Sequence, residues 1–537
     1  MSKNNNEFSQ GMFEKKELGT ISRFVSNLLT LKNPDDMLEQ ANKGGLKKTL
    51  NAFDLIVLGV GCIIGSGIFT VVGIAAVGSP EALGAGPSLI ISMILASIAC
   101  IFSALCYSEF ASMLPVAGSA YLYTYATMGE FMAWVIGWVL MLEYLVAYIA
   151  VVSAWSGYFM QFIKGFTFLP DWLTNPPVYL IHDYSTAVNE ITKLGQDPNS
   201  VIPHFLGIPL CVNIPSILIT VYIIWTLIKG IQESTKMAGV MVVIKLGVVF
   251  AFIFTGMFYI KPENWTPFAP NGLEGMFMGA FIIFFAYIGF DAIATAAEET
   301  KNPQKNLPIG IIGSLLACTV IYVLVALVLT GVVPISQIDV QAPIASAMRM
   351  VGQDWVAGLI SIGALTGLTS VLLVMMLAGT RILYAMSRDG FLPKVLQTVH
   401  PKYKTPHVIT LMTGVVCLIG TLCLNISVAA ELCNFGTFAS FIIVCVAVLI
   451  LRKTQPDRKR PFKVPFSPFV PLAGIICCGG LMFYSMNFLK TSRVLFPLWI
   501  VIGIAIYFLY GYRKVNRSGA KKIDENSENI AIEENIE

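Results

Sequence analysis

The sequence predicts an all-α integral membrane protein with twelve transmembrane helices, two of them broken and running in opposite directions. Three observations lead there. Of the 537 residues, 56% are hydrophobic and only 12% are charged, against about 25% charged in an ordinary soluble domain. Apolar runs of roughly 20 residues or more, the length that crosses a bilayer as a helix, recur along nearly the whole chain. The first and sixth of these runs are interrupted at mid-depth, by Gly65-Ser66-Gly67 and by Gly289.

The chain opens on a polar leader, 1–51, with no apolar core or small-residue cleavage site of the signal-peptide kind. Within it, 12–31 alternates apolar residues with Lys15, Lys16 and Arg23, a pattern that fits a helix lying on a membrane surface. The predicted spans then follow at 52–77, 88–113, 130–163, 209–228, 237–260, 274–297, 308–333, 355–387, 406–425, 428–451, 468–488 and 493–512. The third and eighth exceed the minimum and must tilt or extend beyond the lipid. Between the third and fourth spans, 164–209 is long for a connection, and the sequence gives it no function. The tail 513–537 is polar and ends acidic, the composition of a disordered cytosolic segment.

Charge placement orients the spans. With the N-terminus in the cytoplasm, 28 of the 35 Lys and Arg residues fall on the inner side and six on the outer side, so both termini are expected inside. The formal net charge of +3 selects no partner, and nothing points to nucleic acid.

The one remaining basic residue is Lys245, inside the fifth span. It lies nine residues beyond Lys236, or about 13 Å along the helix axis, a long way for its amine to snorkel to the interface. A lysine at that depth costs about 2.5–3.5 kcal/mol on insertion scales, so it is expected to face the bundle and serve a function. Glu143 in the third span is expected to line a pocket or relay a proton. Asp291 follows the second break, and Glu431 enters the tenth span. Most of the 11 cysteines lie in apolar runs and read as packing residues, with no zinc or disulfide spacing. Nucleophile triads, HExxH and phosphate loops are missing too, so an enzyme is not expected.

The breaks carry the functional argument. An unwound segment frees N–H and C=O groups that lipid cannot satisfy, so it must face a protein cavity or a ligand. The half-helix starting near Gly67 presents amide donors and a positive dipole end, suited to a carboxylate. Carbonyls of the sixth span suit an ammonium. Gly61 and Gly65 also form a GxxxG pair, which by itself would signal only close helix packing. Two interruptions five helices apart run in opposite directions, the sequence sign of an inverted-repeat transporter with its site at the midplane.

Three segments, GVGCIIGSGIF (59–69), FFAYIGFDAIATAAEETKNPQKNLPIGI (284–311) and TRILYAMSRDGFLP (380–393), together resemble the amino acid–polyamine–organocation superfamily, in the bacterial branch related to cationic amino acid transporters. The resemblance covers about 45–515. It implies a five-plus-five inverted repeat, 52–260 and 274–451, with helices 1 and 6 broken and two peripheral helices over 468–512. It implies a substrate carboxylate on the amides around Ser66 and Gly67, with Gly65 in the turn. The substrate amine would meet carbonyls near Ile63 and around Phe285, Ala286 and Ile288. Phe290 would help close the pocket, Glu143 matches an acidic position of this branch, and Met375 matches a pocket-floor position. Lys245 matches the lysine of proton-coupled members, so the proton is the expected coupling ion in preference to sodium, with no cofactor or metal. The partners implied are an amino acid, the bilayer and a small single-span accessory subunit, and the location is the cell membrane.

The expected function is therefore proton-coupled uptake of small to medium neutral L-amino acids by alternating access. A cationic substrate or amino acid exchange on the same fold is the alternative, and a membrane sensor that moves nothing is a distant one.

Overall fold

In the computed structural model, residues 28–33, 48–115, 119–166, 168–205, 208–229, 235–403 and 405–512 are described. The surface helix predicted over 12–31, apart from its last four residues, and the tail after 512 lie outside them.

The first helical element, α1 (Ala52–Ile63), starts at a reciprocal cap. Asn51 Oδ1 accepts from the amides of Phe53 and Asp54 at 2.8 and 3.1 Å, while Asp54 Oδ2 accepts from the Asn51 amide at 2.9 Å. The chain then bends by 46° into α2 (Gly67–Val77), which opens with a π-helical turn over Gly67–Val71 before the α-helix Val72–Val77. A two-residue antiparallel hairpin follows, with Gly78 opposite Leu83 and Ser79 opposite Ala82. Next come α3 (Leu89–Met113), the short α4 (Ser119–Thr127) and the long α5 (Glu130–Ile163).

The connection after α5 has a small core of its own. There α6 (Tyr184–Lys193) is capped by Asp183 and packs Ala187 and Ile191 with Ile202 and Cys211. Asn213 caps α7 (Ile214–Lys229), taking the Ser216 amide at 3.1 Å. The cap starts the helix five residues later than the apolar run suggests, because 209–213 stays extended or irregular.

Then follow α8 (Thr235–Gly256), α9 (Gly272–Ile283), α10 (Pro303–Val332), α11 (Pro343–Met350), α12 (Asp354–Arg388), α13 (His407–Cys423), α14 (Ile426–Thr454), α15 (Phe469–Met486) and α16 (Lys490–Ile506). Pro303 opens α10, where a missing N–H costs nothing. Between α9 and α10 the chain makes a 3₁₀ turn, Phe284–Tyr287, reverses at Gly289 and continues as a 3₁₀ stretch, Phe290–Glu299. Gly289 has φ of 119°, which a side chain would strain.

Among the described residues, nine helices are long and apolar enough to cross a membrane, and the bent α1–α2 pair makes a tenth candidate. The shorter apolar α7 and α13 stand where the fourth and ninth spans were predicted. At 16 and 17 residues they reach about 24–26 Å, short of the roughly 30 Å hydrocarbon core.

Burial sorts these helices. The best apolar window of α5 is 89% buried and that of the α9 segment 83%, whereas those of α15 and the α16 segment are 22% buried. So α5 and α9 are interior, while α15 and α16 are peripheral. The interior helix α5 packs on α12 and α14, α10 packs on α1 and α3, and α8 packs on α12 and α1. Glu109, at the end of α3, is buried and clamps the connection after α14. It pairs with Arg452 and Arg460 and accepts the Val464 amide at 2.7 Å.

Candidate functional site

The two interruptions meet in the middle of the bundle. Gly67, at the start of α2, lies against the turn after α9 so closely that a Cβ there would come 2.3 Å from the Ala286 Cα. A Cβ on Gly65 would touch Val371 of α12 at 3.3 Å. Glycine at position 67 is thus a condition for bringing the breaks together.

Between them is a cavity of about 290 Å³, lined by Cys62, Ile63, Gly65, Ser66, Gly67, Ala147, Val151, Phe285, Ile288, Val371 and Met375. Only about 20 Å³ of this is room for a water-sized body, well below the roughly 300–1,000 Å³ of ligand pockets. The structure gathers Ile63, Gly65, Ser66, Gly67, Phe285, Ile288 and Met375, all named from the sequence, into one wall. The Ser66 hydroxyl is buried there without a hydrogen-bond partner. The first helical bond of the new segment runs from the Phe69 amide to the Gly65 oxygen at 3.2 Å. By helix geometry, the amides just before Phe69 have no intrahelical acceptor.

Four other residues named from sequence do not line this cavity. Ala286 stands behind it, against Gly67. The Phe290 ring packs edge-on to Tyr107 at 5.9 Å and against Phe441 at 5.1 Å. Glu143 is buried one turn from Ala147, beside Ser440 of α14, whose hydroxyl is 3.5 Å from its carboxylate. Nearby, the Tyr144 hydroxyl reaches Asp291 at 3.4 Å. Lys245 of α8 donates to the Gly61 oxygen of α1 at 2.9 Å, its stem against Gly367 of α12.

Side chains from neighbouring helices bond the carbonyls near the two breaks. The Tyr322 hydroxyl of α10 bonds the Ile63 oxygen at 2.8 Å and the Ala286 oxygen at 2.9 Å. Asn434 of α14 donates to the Phe281 oxygen at 2.6 Å. Sequence reasoning missed Tyr322 and Asn434. The signal was present: a lone amide or phenol in an apolar span needs an interhelical partner.

Both ends of the broken pair are tied. On one side, Thr70 bonds the Gln341 oxygen at 3.3 Å and Tyr158 bonds the Phe69 oxygen at 2.6 Å. On the other, the Thr49 and Leu50 amides donate to the Glu299 oxygen at 2.9 and 3.1 Å.

A family model described as amino acid permease matches residues 50–507. The chain belongs to this family. The permease is 45% identical over 476 residues to the branched-chain amino acid permease BcaP of Bacillus subtilis, covering 88% of this chain and 95% of that one. It is 42% identical over 487 residues to the methylthioribose transporter of the same organism, covering 90% and 98%. It is 34% identical over 469 residues to the chloroplastic cationic amino acid transporter 9 of Arabidopsis thaliana, covering 86% and 76%. The permease is thus a multi-pass membrane transporter of the amino acid–polyamine–organocation superfamily and not an enzyme.

Proposed function

We propose that this permease imports small to medium neutral L-amino acids together with protons, by alternating access. On this reading it has twelve spans, ten of them in two inverted five-helix repeats, and lies in the cell membrane with both termini cytoplasmic. The observation that carries the substrate reading is the unpartnered Ser66 hydroxyl in a cavity wall made from both breaks. A buried hydroxyl without a partner costs about 1–3 kcal/mol, and a bound carboxylate would relieve that cost. The α2 amides add donors at the positive end of a helix.

Three features favour a neutral, aliphatic side chain. Val151, Val371 and Met375 form an apolar part of the wall, no acidic side chain lines it among the described residues, and the space is small. The 45% identity to a branched-chain amino acid permease agrees, and leucine, isoleucine and valine are the first substrates to test. A second reading, transport of methylthioribose, is favoured by the 42% identity that spans 98% of that relative.

Reconstitution in proteoliposomes tests both. Labelled leucine is expected to enter faster under an inward proton gradient and to be displaced by isoleucine and valine, with lysine and methylthioribose ineffective. Displacement of a labelled thio-sugar but no leucine uptake would reverse the order of the two readings. Leucine uptake that needs amino acid preloaded inside, with no response to the gradient, would mark an exchanger.

A further inference from the structure

We propose that the permease holds one anionic phospholipid in a groove on the lipid-facing side of α10, with the phosphate at Lys305 and an acyl chain along Ile309, Ile312 and Leu316.

The groove shares no residue with the cavity between the breaks and is far roomier. It offers about 690 Å³ to a water-sized body, inside the roughly 300–1,000 Å³ of ligand pockets. One wall is α10 from Gln304 to Leu316, and the other is Pro461 and Phe462, in the connection after α14. The second wall is held in place. The Phe462 amide donates to the Ser112 hydroxyl of α3 at 3.3 Å, and Arg460 and Val464, on either side, are bound to Glu109. In the first wall Gly313 brings no side chain to fill the groove, and α1 stands close beside it: a Cβ on Gly313 would be 3.0 Å from Ile56 Cδ1. Beyond Leu316 the same face of α10 continues with exposed Val320 and Leu324.

Charge sits at one end of this apolar trough. Lys305 is exposed, and none of the ion pairs among the described residues uses it. The stretch 452–463 carries six basic residues and one acidic residue, Asp457. Of these, Lys459 and Lys463 are exposed and flank the Pro461–Phe462 wall in the chain. Eleven residues separate Lys305 from Leu316, about 16 Å along the axis, close to half of the roughly 30 Å hydrocarbon core. A cation at the head of an apolar trough one leaflet deep is complementary to a lipid with an anionic headgroup. Basic pockets at the ends of spanning helices bind such headgroups, and each lysine near the surface strengthens the binding about fivefold.

Native mass spectrometry of the full-length protein tests this, with delipidated samples titrated with phosphatidylglycerol or with zwitterionic phosphatidylcholine of the same chains. The wild type is expected to take up one phosphatidylglycerol at least about fivefold more tightly than phosphatidylcholine. Lys305→Gln should weaken phosphatidylglycerol about fivefold and leave phosphatidylcholine unchanged. Leu316→Trp puts an indole in the trough and should remove the tight one-to-one complex. Ile309→Trp blocks the same trough and serves if Leu316→Trp folds poorly. Lys394→Gln removes an exposed lysine outside the groove and should bind both lipids like wild type.

Equal affinity of the wild type for the two lipids overturns the inference, since it describes ordinary annular lipid. So does unchanged phosphatidylglycerol binding in Lys305→Gln or in the folded Trp variant, or an equal loss in Lys394→Gln. A dimer that survives delipidation and disappears in the Trp variant would make a second copy of the chain the occupant, and would overturn it too.

Discussion

The Lys245 ammonium donates to the Gly61 carbonyl oxygen at 2.9 Å, and its stem fills the space left by Gly367. In an unbroken helix that oxygen would receive the Gly65 amide four residues on. The interruption frees it, and a cation from α8 takes the place of the missing donor. Losing the proton removes the charge that strengthens this bond, so the protonation state of Lys245 and the position of α1 are expected to be linked. Lys245→Met should lower gradient-driven leucine uptake by about tenfold or more, a loss of at least about 1.4 kcal/mol of coupling, while leucine–leucine exchange persists. Gly367→Ala puts a Cβ 2.8 Å from Lys245 Cγ and should displace the pH profile of uptake with the lysine still present. Gradient-driven uptake at the wild-type rate in Lys245→Met would remove this residue from proton coupling.

Met375 lines two voids at once. One is the cavity between the breaks, and the other a packing gap too narrow for a water, bounded by Met141, Tyr144, Tyr148 and Thr413, among others. Among the described residues it is the one that lines both. Met375→Ser should open the second space and admit longer side chains, improving competition by phenylalanine and methionine against labelled leucine by about tenfold, from the added apolar burial of one or two methylene equivalents. Valine, too short to reach the new space, should gain nothing. An unchanged competition series would take Met375 out of the pocket floor.

Gly67→Ala places a methyl group 2.3 Å from the Ala286 Cα, a backbone atom that cannot rotate away. The two breaks must then separate, which pulls apart the wall that contains Ser66 and Phe285. Leucine uptake should fall to background although the protein still reaches the membrane, as quantitative blotting of the membrane fraction would show. Gly247→Ala is the control, since a Cβ there meets nothing within 4 Å, and it should transport normally.

Much of this arrangement was legible in the sequence because membrane burial exaggerates rare residues. Two glycines around Ser66, a glycine at 289 and one lysine amid valines stand out where everything else is apolar, and the structure places the two breaks side by side. What stayed hidden depended on direction around a helix axis. Glu143 and Ala147 lie one turn apart on α5, yet Ala147 faces the cavity and Glu143 faces Ser440. In a span that is apolar on all sides, the sequence has no polar face by which to tell them apart. Phe290 was hidden for a similar reason: the reversal at Gly289 turns its ring toward Tyr107. Tyr322 was missed, because a tyrosine shows its hydrogen-bonding role only when its acceptors are known.

Glu109 was passed over as well, and it supports a stability prediction separate from the site. Its carboxylate is 1% exposed and faces Arg452, Arg460 and the Val464 amide, joining α3 to the connection after α14. Removing one partner of such a buried cluster leaves the others uncompensated, at a cost of about 3–5 kcal/mol. Arg452 is 24% exposed, so water recovers part of that for Glu109→Ala, and the lower end is the expected value. Thermal unfolding in detergent should show the loss as a clearly lower midpoint than wild type. None of the cluster's residues lines the cavity among the described residues, so the leucine KM of the surviving folded protein should match wild type. A changed KM at normal thermal stability would mean that Glu109 acts on the transport cycle and not as a clamp between two elements.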